Sequence, residues 1–142
     1  MYLKKILAFL FLTPLLFLSG QYFQSNFDES QLDQEQGRVE YRLVVKIIGD
    51  EWRVVTEDDD SVSDVTLRRG DRIRWIVQGS DASFAFPDSR IFGLETRDVS
   101  DGNPLVMAVS ANSPRGKFPY TVFIHESMTY ARGQSPPRII IR

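Results

Sequence analysis

Val65-Thr66-Leu67-Arg68-Arg69-Gly70-Asp71-Arg72-Ile73-Arg74-Trp75 is the stretch that decides the fold. Its first three residues are apolar or β-branched, Gly70-Asp71 is a turn pair, and Ile73, Trp75 and Val77 then alternate with Arg72 and Arg74. Period-two alternation marks a strand with one face in a core and the other in water. The stretch therefore reads as a short strand, a Gly-Asp corner and a second strand carrying a buried tryptophan. Arg72 and Arg74 fall on the solvent face of that second strand and join Arg68 and Arg69 in a basic cluster. Such a cluster usually keeps a strand face soluble. The sharper reading is a docking patch for an acidic partner or for lipid headgroups.

The same alternation extends outward on both sides. Val39, Tyr41, Leu43, Val45 and Ile47 are expected on one face of a first strand, and Arg38, Glu40, Arg42 and Lys46 on the other. Gly49-Asp50 turns the chain into a return strand through Trp52, Val54, Val55 and Thr56, and Asp58-Asp59-Asp60-Ser61 is a polar loop. Phe84-Ala85-Phe86 is a short strand stopped by Pro87, and the irregular segment 88–102 carries the pattern of a helical turn near Arg90 to Leu94. Leu105 to Val109 is strand-like, Ser113-Pro114-Arg115-Gly116 is a turn, and Phe118, Tyr120, Val122 and Ile124 alternate again. Pro136-Pro137 introduces a terminal strand, Ile139-Ile140-Ile141. Short strands punctuated by Gly, Pro and Asp, with no long amphipathic helix, specify an antiparallel β-sandwich over residues 38–142.

Upstream, Lys4 and Lys5 precede an apolar run from Ile6 to Leu18. Basic residues before a short apolar run direct export. The uncharged stretch from Ile6 to Phe27 is long enough to span a bilayer as a helix. Tyr2, Tyr22 and Phe23 stand at its two ends, where interfacial aromatics belong, and the lysines would stay cytoplasmic. Residues 1–23 are therefore expected to form a retained signal-anchor helix, the alternative being a signal peptide cleaved near Gly20. Gln21 stands where a lipobox following Leu18-Ser19-Gly20 would need its cysteine, which excludes a lipid anchor. Residues 24–37 are Gln-, Ser- and acid-rich, and read as a polar linker too poor in apolar surface to fold alone.

Composition excludes several chemistries. The chain has no cysteine, one histidine and a net charge of −2. Disulfides, thiolate metal sites and cysteine nucleophiles are ruled out, and no basic tract offers a nucleic-acid footprint. Glu57, Asp58, Asp59, Asp60 and Asp64 have the hard oxygens that calcium takes, but without EF-hand spacing they read as an acidic hairpin loop. Asp98, Asp101 and Asn103 are read the same way. Ser80, Ser83 and Ser89 lack a motif or a spare histidine for a catalytic triad.

Three segments together resemble the cupredoxins, the plastocyanin- and azurin-type copper proteins. The first is Val65 to Trp75. The second is Asp81-Ala82-Ser83-Phe84, where Ala82 takes the place of a ligand histidine. The third is Gly116-Lys117-Phe118-Pro119-Tyr120-Thr121-Val122-Phe123-Ile124, where Ile124 takes the place of the ligand cysteine. Ser135 to Ile141 resembles the family's closing strand, and the second histidine, due near Ser127, is missing. The resemblance implies a Greek-key sandwich, and the departures imply a member without type 1 copper, since that centre needs two imidazoles and a thiolate. His125 would point away from Ile124 and Met128 reads as packing or loop, so no catalytic, cofactor-binding or metal-ligating residue is assigned. Phe84, Phe86, Phe92, Tyr120 and Phe123 are expected as exposed aromatics in the loops and strand ends that surround copper in the family; either apolar residues such as Ile124 fill the hole, or that end stays apolar and buries itself against a partner.

The expected role is that of a non-catalytic, metal-free accessory or scaffold subunit. It would sit in the periplasm, held to the bacterial cytoplasmic membrane by one N-terminal span, with no cofactor and no nucleic acid. Its partners would be the bilayer and subunits of a membrane complex, by family analogy an electron-transport or photosynthetic one. The rival readings are a secreted binding module for a small molecule, glycan or protein, and a carboxylate/His metal carrier or enzyme.

Overall fold

The computed structural model describes residues 38–133 and 136–142. The expected anchor helix and polar linker lie outside the described residues. Among the described residues no helix is long and apolar enough to cross a membrane.

Among the described residues eleven strands follow in chain order: β1 (Glu40–Ile48), β2 (Glu51–Thr56), β3 (Val65–Leu67), β4 (Arg72–Val77), β5 (Ala82–Ala85), β6 (Thr96–Val99), β7 (Pro104–Ala108), β8 (Gly116–Pro119), β9 (Thr121–Ile124), β10 (Thr129–Tyr130) and β11 (Arg138–Ile141). One layer is the sheet β2-β1-β4-β7. The other joins β10-β9-β5-β6 to β3-β11-β8, because β8 and β9 are one run of chain interrupted only at Tyr120, whose N–H turns to the Pro137 carbonyl at 3.1 Å. The core lies between the layers.

The all-β sandwich agrees with the sequence reading, and two of its pairings do not. β1 runs parallel to β4, and β3 runs parallel to β11. Each pair joins strands distant in the chain, where no hairpin forces them to run in opposite directions. Near Arg90 to Leu94 the chain makes one turn of helical type, the Gly93 N–H donating to the Ser89 carbonyl at 2.7 Å, and no longer helix.

The decisive stretch folds as read, for reasons visible in its atoms. Gly70 takes φ +87°, a conformation costly for any residue with a Cβ. The corner it makes turns Asp71 inward to 3% exposure. The Asp71 carboxylate accepts from the N–H of Arg68 at 2.8 Å and from that of Val39 at 3.3 Å. One side chain thus ties the corner to the start of β1, through the charge-assisted bonds that make a buried carboxylate tolerable. A second tie lies in the other layer, where Asp64, just before β3, holds Arg138 of β11 through the backbone N–H at 3.1 Å and through Nε at 2.9 Å.

β1 departs from its pattern at both ends. Leu43 and Val45 are buried as expected, but Val39 is 50% and Ile47 55% exposed. At these two positions alternation persists without burial.

Candidate functional site

Ala82 and Ile124, which the sequence resemblance sets against ligand positions, face each other as Cα partners across β5 and β9. Both are fully buried. An alanine methyl and an isoleucine side chain offer no lone pair to a metal, so the donor set does not fit type 1 copper. Among the described residues no group of three His, Cys, Asp or Glu side chains is placed to hold a metal ion.

Beside this pair, aromatic rings pack around Trp75. Phe84, Phe86, Phe92 and Tyr120 place their centroids 5.5, 5.7, 5.9 and 5.7 Å from it. These separations suit tilted and edge-to-face contacts, each adding about 1 kcal/mol beyond area burial. This overturns the expected exposure of Phe84, Phe86 and Tyr120, which are at most 1% exposed. Positions 82 and 84 of β5, and 86 just beyond its end, share one face, and that face is turned inward. Phe92 is half-buried against the same cluster. Only Phe123, which alternates with Val122 and Ile124, faces outward.

Trp75 Nε1–H donates to the Tyr120 hydroxyl at 3.1 Å, which satisfies a buried donor that the core would otherwise strand. Burial pushes the Tyr120 phenol far above its ordinary value. The charge of Asp64 adds to the rise, and the Trp75 hydrogen bond offsets part of it.

The outer face of the same two strands carries a group that sequence reasoning missed. Ser83 Oγ lies 2.6 Å from Asp98 Oδ1 and 2.7 Å from His125 Nε2. Asp98 is the Cα partner of Ser83 across β5 and β6, and His125 follows β9 on the other side. The ionised carboxylate only accepts, so the serine proton goes to Asp98 and Oγ accepts from the Nε2–H of His125. This order places the acid on the hydroxyl. A triad needs it on the far nitrogen of the imidazole, with Nε2 free to take the serine proton. His125 points away from Ile124, as read from the alternation.

The remaining sequence candidates are dispersed. Glu57 pairs with Arg42, Asp60 with Lys46 and Asp64 with Arg138. Asp59 accepts from the hydroxyl and N–H of Ser61, which lower its pKa. The acidic loop therefore spends its carboxylates on separate cations and turns. Asp101 accepts from Gly79 N–H, away from Asp98. Ser80 Oγ donates to the Asp81 carbonyl and accepts from Glu126 N–H, a loop-fixing role. Met128 is 71% exposed, in a turn. In the basic cluster, Arg69 is engaged with the Ser113 carbonyl at 2.9 Å. Arg72 and Arg74 lie on the outer face as expected.

The described residues form an all-β sandwich. No protein-family model matches the chain, and no curated protein matches it. Among solved structures, a Cu(I) amicyanin variant is similar at 11% identity and a TM-score of 0.43, over 75% of this chain and 83% of that one. A second amicyanin variant, in its reduced state, is similar at 13% identity and 0.42, over 75% and 84%. Fet3p, a multicopper oxidase that functions in iron import, is similar at 13% and 0.42, over 74% of this chain and 23% of that one. At these values the likenesses carry no argument, and the reading rests on the residues themselves.

Proposed function

We propose that the chain is a non-catalytic, metal-free accessory or scaffold subunit on the extracytoplasmic face of a membrane protein complex, held there by residues 1–23. The observation that carries this reading is the facing, fully buried pair Ala82 and Ile124, in a sandwich whose adjoining core is filled by aromatic rings. A cupredoxin-like sandwich with side chains of this kind at the gripping points keeps its rigidity and its surfaces. Rigidity and surface are what a scaffold needs. An electron-transport or photosynthetic assembly is the company that fold analogy suggests.

The test is purification from native membranes in mild detergent. Co-purification with integral subunits is the expected result. Stoichiometric copper with an intense visible band in the isolated chain would overturn the metal-free reading. A mature N-terminus near Gln21 would overturn the anchored one.

The rival, a secreted binding module, is favoured by one feature. An open groove of ≈ 790 Å³ is lined by Ile47, Trp52, Tyr130 and Arg132, among others. That is within the size range of small-molecule pockets.

A further inference from the structure

β7 is a strand with a free side. It ends its sheet and pairs only with β4 among the described residues. Val109 N–H donates to the Asp71 carbonyl at 2.9 Å, and Gly102 N–H donates to the Val77 carbonyl at 2.8 Å. Main-chain direction alternates along an antiparallel pair. Leu105 and Met107 therefore aim their N–H and C=O groups at β4. Val106 and Ala108 aim theirs away from it, as Pro104 does its carbonyl. Arg72 N–H, bonded to the Val39 carbonyl on the β1 side at 2.9 Å, fixes the same phase independently.

Free edges are normally defended by charge, brevity or a cover. The other edges here are defended. β2 is covered by the Arg132 main chain, which bonds both Trp52 and Val54. β6 carries Arg97 and Asp98, β8 carries Lys117 and ends in Pro119, and β3 and β10 have three and two residues. β7 has none of these defences beyond its first residue, Pro104. The sequence from Asn103 to Pro114 contains no charge, and Val106 is 48% exposed.

Charge lies one strand further in. Arg72 is the Cα partner of Ala108, and Arg74 is the partner of Val106. Neither guanidinium has a carboxylate partner among the described residues, and Arg74 Nε is buried without an acceptor. Glu40, beside Arg72, gives its carboxylate to Arg42 at 3.2 Å. A strand added to β7 would lie roughly 9.5 Å from β4. Its outward side chains would face the arginines across only alanine and valine, a span that an arginine and a glutamate bridge together.

We propose that the free edge of β7 docks an extended strand of a partner protein whose outward side chains are acidic. Main-chain bonds to Val106 and Ala108 supply the affinity of strand addition, and Arg72 and Arg74 select the charge. This deepens the scaffold reading by giving it a surface, yet it is tested separately.

The probe is a capped nonapeptide alternating valine and glutamate, with a valine–lysine peptide as control, added to the full chain in neutral detergent. The acidic peptide is expected to bind and to slow amide exchange at Val106 and Ala108, while Leu105 and Met107 are already protected. Val106→Pro removes one outward donor and no bond of the fold, and is expected to weaken binding about tenfold or more. Arg72→Glu with Arg74→Glu, which does not depend on proline being accommodated, is expected to reverse the preference toward the lysine peptide. Equal binding of both peptides, or no binding, overturns the proposal. So does protection of Val106 in the chain alone together with a dimer, which would make the occupant a second copy. Co-purification with a membrane complex while the peptide fails would leave the scaffold reading standing and remove β7 from it.

Discussion

β5 and β9 carry different chemistries on their two faces. Inward stand Ala82, Phe84, Val122 and Ile124, all fully buried. Outward stand Ser83 and Phe123, with His125 just beyond the strand end, and Ser83 is bonded to Asp98 as well as to His125. The inward face holds packing, and the only imidazole of the chain lies outside. The difference teaches that the stabilising work of these strands lies on their inward face, while the outer face leaves its polar contacts to water, where each is worth little.

The largest expected effect breaks the inward face. Trp75→Ala removes the ring that four other aromatics surround and should cost about 3–5 kcal/mol, read as a fall in the denaturant midpoint. Next comes an attempt to put reactive groups on the inward face. Ala82→His with Ile124→Cys supplies two of the three ligands a type 1 copper needs and places an imidazole where Ala82 is fully buried. The expected result is a loss of about 3 kcal/mol from overpacking and polar burial, with no intense visible band on adding copper. A stable double variant with such a band would show that the cavity is preformed.

Tyr120→Phe sharpens the comparison through pH. The substitution leaves Trp75 Nε1–H without its acceptor, a cost of about 1–3 kcal/mol at neutral pH. Burial raises the Tyr120 pKa in the folded chain, so above the ordinary tyrosine value the native state holds a proton that the unfolded state releases. Stability therefore falls as pH rises past roughly 10, with a limiting slope of about 1.4 kcal/mol per pH unit from this group. Urea titrations at pH 9, 10 and 11 should show that slope in the parent chain and its reduction in the variant. An unchanged slope would mean the phenol ionises inside the fold.

What could be read from the sequence follows the range of the interactions. The Gly70-Asp71 corner, the inward Trp75 and the outward Arg72 and Arg74 are local consequences of a turn pair and a period of two, and the residues show them directly. The parallel pairing of β1 with β4 joins residues such as Tyr41 and Ile73, and nothing in either strand names the other. The burial of Phe86 was obscured by Pro87, which ends the strand without changing the face. Ser83 and His125, 42 positions apart, meet only because β5 and β9 pair with Ala82 opposite Ile124. A shift of one residue in that register would have moved the imidazole to the inward face.

The smallest expected effect concerns that outer trio. His125→Ala removes the donor to Ser83 Oγ, yet the freed oxygen stays within reach of water. The hydrogen bond between Ser83 and Asp98 at 2.6 Å does not depend on the imidazole. An exposed pair of this kind is worth at most about 1 kcal/mol, so His125→Ala, Ser83→Ala and their combination should each shift stability by no more than that. Their coupling in a double-mutant cycle should be about 0.5 kcal/mol. A coupling several times larger would mean that the outer face is dried by something bound to it, and the contrast between the two faces of β5 and β9 would then be one of occupants rather than of burial.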